Sequence, residues 1–186
     1  MDLTVGYAYL GRDAKIYFKE TLDNYIPIHN LSEKQGQNEF KATTSKRLLI
    51  TAVNRSFFEG VRNDGRDEIG TLLKTYKGDY PKVMVIFGEG EIKPLERLKA
   101  VFDAIIYVPS EQYWCQSIAA QVIFGGMGVE SVLKDNLSTS FKEGTGVQIQ
   151  AVGRFSYQPA ATVNMDASLL QDSISAIVKE GIEAGA

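Results

Sequence analysis

QYWCQSIAAQVIFGG, residues 112–126, has the pattern of a helix that packs on a sheet and then stops. Trp114, Ile118, Ala119, Val122 and Ile123 recur at i, i+4, i+5, i+8 and i+9, which predicts one shared helix face turned inward. Ala119 and Ala120 are small enough to let such a helix lie close against strands. Gly125 and Gly126 end it, because glycine adopts the left-handed conformation at a helix terminus without a Cβ clash. Everything before this stretch alternates short strand and helix. Everything after it differs in kind.

Working back to the start, LTVGYAYL (3–10) is a continuous apolar run rich in β-formers, as in a strand buried on both faces. Gly11 breaks it. Asp13 is placed to cap a helix whose apolar face is Ile16, Tyr17, Leu22 and Tyr25. IPIHNL (26–31) is a short second strand, and Pro27 suits an edge position. Residues 32–44 are polar with few apolar anchors, and a helix is expected there. RLLITAVN (47–54) is a third strand, and 55–66 a loop carrying Phe57, Phe58 and Glu59. A helix with Ile69, Leu72 and Leu73 inward covers 67–76. KVMVIFGEG (82–90) is the clearest strand, followed by a helix over 94–102 and a fifth strand, AIIYVP (104–109).

Strands alternating with helices of this length imply βαβ units, hence a parallel sheet with helices on both faces. The expected class is α/β: a three-layer αβα sandwich with a flavodoxin-like, mainly parallel five-stranded sheet. The order 2-1-3-4-5 puts the proline-bearing strand at an edge and KVMVIFGEG inside. That domain spans residues 1–150. A C-terminal extension follows, with β-like pieces at 147–152 and 154–157 and a linker over 151–164. Residues 165–186 form one amphipathic helix. Asp166 caps it, and Leu169, Leu170, Ile174, Ile177, Val178 and Ile182 share a face.

With 44% hydrophobic and 23% charged residues, the composition is that of a globular chain. A formal charge of −3 gives no electrostatic reason to expect nucleic acid or an anionic membrane as partner. Its apolar runs are too short to span a bilayer. One cysteine, Cys115, excludes an internal disulfide without fixing the compartment. Met1 runs directly into a strand pattern, so no signal peptide is expected; a piece cut from a longer chain would look the same.

The first strand–helix turn, Leu10-Gly11-Arg12-Asp13, lacks G-x-G-x-x-G, and there is no phosphate-loop or G-x-S-x-G sequence. No cofactor and no metal are therefore expected. His29 stands without a cysteine cluster and reads as structural or solvated rather than as a ligand or base. Cys115, within the packing helix, reads as an inert thiol. The acidic loops are RSFFEGVRND, with Glu59, and FGEGEIKP, with Glu89 and Glu91. Both follow strands on the side where doubly wound sheets take ligands. Each acid is most simply a solvated loop residue, while a carboxylate among glycine and aromatic neighbours is also the setting of a general acid.

QSIAAQVIFGG, its continuation toward VLKDNLSTSFKEGTG, VMVIFGEGEIKPL and AIIYVPSEQY together resemble the second domain of glycoside hydrolase family 3. The resemblance is strongest to bacterial enzymes of the β-N-acetylhexosaminidase type. In that family the αβα layer follows a catalytic (β/α)8 barrel, and its last helix runs toward A-x-x-L-F-G-x-x-x-x-x-G-K-L-P. This chain has Val132-Leu133-Lys134-Asp135 where Gly-Lys-Leu-Pro is usual. The tail NMDASLLQDSISAIVKEGIEAGA resembles the opening helix of a β-lactamase-like domain. The resemblance implies an accessory domain beside a barrel that carries the nucleophile, a carbohydrate substrate at their interface, and a periplasmic or extracellular parent. In the β-glucosidase branch the acid/base comes from the loop after this domain's third strand, and Glu59 is the residue here that matches it. A free-standing flavodoxin-like domain that binds a small ligand or carries a signal is the alternative.

Overall fold

A computed structural model describes residues 3–11, 16–58, 66–92, 95–153, 155–157 and 165–183. The chain divides into two units, Met1–Arg154 and Phe155–Ala186. In the first unit, β1 (Leu3–Leu10) leads to α1 (Ile16–Asp23), β2 (Ile28–Asn30), α2 (Lys34–Ala42) and β3 (Lys46–Asn54). A 3₁₀ turn (Arg55–Phe58) leaves β3. Then come α3 (Arg66–Thr75), β4 (Lys82–Phe87), α4 (Leu95–Leu98), β5 (Ala104–Val108) and α5 (Tyr113–Phe124). All five strands are parallel, in the order β2-β1-β3-β4-β5. β2, which begins one residue after Pro27, is at an edge, and β4 is interior, as its unbroken apolar run requires.

Side chains alternate between the two faces of the sheet. One face sends Tyr7, Ile50, Ala52, Val85 and Phe87 against Phe18 and Leu22 of α1 and Ala119, Ala120 and Phe124 of α5. The other sends Val53, Met84 and Ile86 against Ile69, Leu95 and Leu98, while Ala8 and Leu49 meet Phe40 of α2 and Tyr76. Phe40 is the anchor that makes the polar stretch 32–44 helical.

Several helix details differ from expectation. In α5 the inward residues are Gln116, Ala119, Ala120, Gln121 and Phe124, whereas Trp114 and Ile118 are 47% and 41% exposed. The helix is apolar almost all round, so periodicity alone does not select a face; close approach to the sheet selects the alanines. Its end is as predicted: Gly125 has φ 74°, and its N–H reaches the carbonyls of Gln121 and Val122. In α1 the same kind of shift buries Phe18 and leaves Tyr17 exposed. The helix expected over 94–102 is regular only at Leu95–Leu98; beyond it, Ala100 and Val101 bond three residues back, to Arg97 and Leu98. Of the β-like pieces, 147–152 supplies one antiparallel bridge, Val129 to Ile149, and the described residues 155–157 form no strand. Asp13 and the linker residues 158–164 lie outside the described residues.

After α5 the chain returns to the sheet's flank. Ile92 donates to the Leu137 carbonyl (3.0 Å), and Glu96 Oε1 accepts from Ser138 Oγ (2.7 Å) and from the Ser140 amide. Hydrogen bonds from the Ser140 side chain, then from Ser138 and Lys99, hold the Glu96 carboxyl at about 2, against an ordinary 4.5. A carboxylate depressed in the folded state stabilises fully above its unfolded value and loses that contribution as pH falls through its folded value. The stability difference between wild type and Glu96→Gln should therefore narrow between pH 4.5 and about 2. Thermal melts across that window measure it, and a constant difference would show that Glu96 does not tie this segment down.

In the second unit, α6 (Ala167–Glu183) begins at Asp166, whose Oδ1 accepts from the Leu169 amide (2.9 Å). None of its described residues is buried. Deleting residues 165–186 should leave the thermal midpoint of the first unit within about 2 °C; a drop of 10 °C would make the helix part of the core.

Candidate functional site at the carboxyl edge of the sheet

In an order 2-1-3-4-5 the helices that follow β1 and β3 leave toward opposite faces, which opens a crevice at the carboxyl ends of those strands. The polar groups gathered along this edge come from the ends of β3, β4 and β5. Asn54 is the last residue of β3 and is only 6% exposed. Its Nδ2 donates to Glu111 Oε2 (3.0 Å), from the turn between β5 and α5. Glu111 is held there through its backbone: Gln116 Nε2 donates to the Glu111 carbonyl (2.9 Å), while Gln116 Oε1 accepts from the Phe18 amide of α1 (3.4 Å).

The turn after β4 is shaped around these side chains. Gly88 has φ +105°, and a Cβ on it would lie 3.3 Å from Glu111 Oε1. Gly90 has φ +115°, and a Cβ on it would lie 2.7 Å from Arg55 Nε. Arg55 Nε in turn donates to the Glu91 carbonyl (3.3 Å), and Tyr107 Oη accepts from the Gly90 amide (3.2 Å). Both glycines thus serve conformation and close approach together.

Two buried polar atoms on the α1/α5 face of the sheet, Asn54 Oδ1 and the Tyr7 hydroxyl oxygen, have no hydrogen-bond partner among the described residues. Burial, with Tyr9 alongside, pushes the Tyr7 phenol well above its ordinary range, so it stays neutral and can donate. Buried polar groups are ordinarily satisfied. An acceptor at Asn54 and a neutral phenol on the same face suit hydroxyl or amide groups better than a metal. Just outside the crevice, Tyr17, Tyr113 and Trp114 form an exposed aromatic cluster, with ring centroids 5.6 and 5.0 Å apart.

Of the residues singled out from sequence, Glu89 and Glu91 sit on the Gly88–Gly90 turn and are exposed. Glu59 lies outside the described residues, on the segment that leaves the 3₁₀ turn. His29 is far from this edge in role: its Nδ1 pairs with Glu39 (2.8 Å) on α2. Cys115 is a free, half-buried thiol. Asn54, Arg55 and Glu111 were not singled out. The available signal was a polar residue ending an otherwise apolar strand, and an acid in the last strand–helix turn. Among the described residues no three His, Cys, Asp or Glu side chains are grouped to hold a metal, and no helix is long and apolar enough to cross a membrane.

Fold and edge together define a doubly wound αβα domain with a cluster of polar groups at its strand ends. No family model, curated protein or solved structure matches the chain.

Proposed function

We propose that this chain is the accessory αβα domain of a bacterial family 3 β-glycosidase of the β-N-acetylhexosaminidase type. It packs beside a catalytic (β/α)8 barrel and is not catalytic alone. The observation that carries the reading is where the resembling motifs fall. QSIAAQVIFGG is the helix closing the sheet, ended by left-handed Gly125, and VMVIFGEGEIKPL and AIIYVPSEQY are the two strands before it with their carboxyl-edge turns. The turn after β5 carries Glu111, which pairs with Asn54 at the end of β3, and the turn after β4 carries the glycines that admit them. In this reading the carboxyl edge faces the barrel, and Asn54, at the end of β3, offers a hydrogen-bond acceptor to carbohydrate hydroxyls at the interface. A β-lactamase-like domain follows α6 in the parent.

The second reading is a free-standing flavodoxin-like domain that binds a small ligand. The buried, unpartnered Asn54 Oδ1 at the switch-point edge favours it. Two measurements separate the readings. Sequencing the gene on both sides of this segment should reveal a (β/α)8 barrel upstream. Titrating the chain with N-acetylglucosamine, glucose and FMN, while following the amides of residues 88–91 and 110–112, should show weak sugar shifts and none with FMN. A gene without a barrel, together with saturable FMN binding, would replace the first reading with the second.

A further inference from the structure

At the opposite, amino edge of the sheet lies a cavity of about 260 Å³ lined by Ser45, Lys46, Arg47, Lys77, Gly78, Asp79 and Tyr80. It opens where β3 and β4 begin and where the turn after α3 comes back to the sheet. Three of its lining residues are cationic and one is acidic, on a chain whose formal charge is −3. The cations differ in how they are held. Lys82, next to the cavity, is committed: its Nζ donates to the carbonyls of Gly78 (3.0 Å) and Tyr80 (3.1 Å), which fixes the turn. Arg47 is held by rings alone, with its guanidinium 5.5 Å from the Tyr80 centroid and 5.9 Å from that of Phe40.

Those two rings meet edge-on at 5.7 Å, and Phe40 is fully buried, so the surface under Arg47 is rigid. Gly78 is required by the same arrangement, since a Cβ there would fall 2.3 Å from the Tyr80 ring. Ring contacts orient a guanidinium but leave its in-plane N–H donors unused. Among the described residues, no hydrogen-bond or ion-pair acceptor meets Arg47, Lys46 or Lys77. A half-buried, pre-oriented guanidinium with the unpaired, exposed Lys77 lining the same cavity is an arrangement suited to oxyanions.

We infer that this amino-edge cavity binds a phosphate group, with Arg47 as the fixed fork and Lys77 as the second charge. The site is separate from the carboxyl-edge crevice and does not depend on the reading given above for it.

The test is titration of the full chain with inorganic phosphate and with glycerol phosphate, each against sodium chloride at matched ionic strength, following the amides of residues 77–80. Saturable shifts with phosphate and none with chloride are expected. Arg47→Gln should weaken binding about tenfold or more, as expected for loss of a charged hydrogen-bond donor. Lys77→Gln, on an exposed side chain that no packing depends on, should weaken it severalfold. Tighter binding of glycerol phosphate would identify a phosphorylated small molecule as ligand, and equal binding would identify free phosphate. Shifts that follow ionic strength alone would overturn the inference. So would phosphate affinity unchanged in both variants, the exposed Lys77→Gln securing the result should Arg47→Gln disturb the fold.

Discussion

The purified chain should leave para-nitrophenyl N-acetyl-β-glucosaminide and the corresponding β-glucoside intact, with rates indistinguishable from buffer. Glycoside hydrolysis takes two carboxyl groups flanking one bond, about 5–5.5 Å apart for retention and about 6.5–9.5 Å apart for inversion. At the carboxyl edge, Glu111 accepts a hydrogen bond from Asn54 and is packed over Gly88, while Glu89 and Glu91 are exposed on a turn. An acid from this domain, Glu59 included, could donate a proton. The group that traps or stabilises the oxocarbenium ion would come from the barrel. In the intact parent, Glu59→Gln is therefore expected to leave kcat unchanged. A loss of about a hundredfold or more, rescued by azide or by a good leaving group, would instead make Glu59 the acid/base. Clear turnover by the isolated chain would overturn the accessory-domain proposal.

Gly36→Ala should destabilise the fold by about 2–3 kcal/mol, although alanine is ordinarily the better helix former. Gly36 lies buried in α2, where a Cβ would fall 2.3 Å from the Asn30 carbonyl oxygen and 2.9 Å from the Asn30 carbonyl carbon and nitrogen. All three are backbone atoms of β2, so no rotamer change relieves the overlap. The helix must lift off the edge strand, and Phe40 on the same helix would lose its fully buried place against Tyr76 and Tyr80. Gly70 in α3 is the control. A Cβ there meets nothing within 4 Å, so Gly70→Ala should stabilise by about 0.5–1 kcal/mol. Urea denaturation of the two variants should move the midpoint in opposite directions. A midpoint raised in both would show that α2 is free to move from β2.

The strands were legible because a parallel strand buried on both faces must be apolar throughout, and LTVGYAYL, RLLITAVN and KVMVIF are such runs. Their order followed from the alternation with helices and from Pro27, which no central strand tolerates. The helix at 34–42 was harder to read, since its composition is polar and its one large buried apolar side chain is Phe40. Helix faces were the least legible part. In α5, Trp114 and Ala120 both satisfy an apolar pattern, but only the smaller side chain fits where helix and sheet approach closely. In α1, Tyr17 was expected inward, but its neighbour Phe18 takes the buried place against the sheet and Tyr17 is exposed.

Sequence alone determined the βαβ alternation, the edge and interior strands, the glycine stop after α5 and the Asp166 cap of the last helix. Each depends on residues close together in the chain, where backbone preference and hydrophobic period act directly. The tertiary structure decided which polar residues meet. Asn54 and Glu111 are 57 residues apart and touch only because a parallel sheet brings all its carboxyl ends to one edge. Arg47 gains its two rings from α2 and from the turn before β4 because those elements converge at the amino edge. No local pattern encodes such contacts, for they are set by strand order and by the packing of side chains between layers.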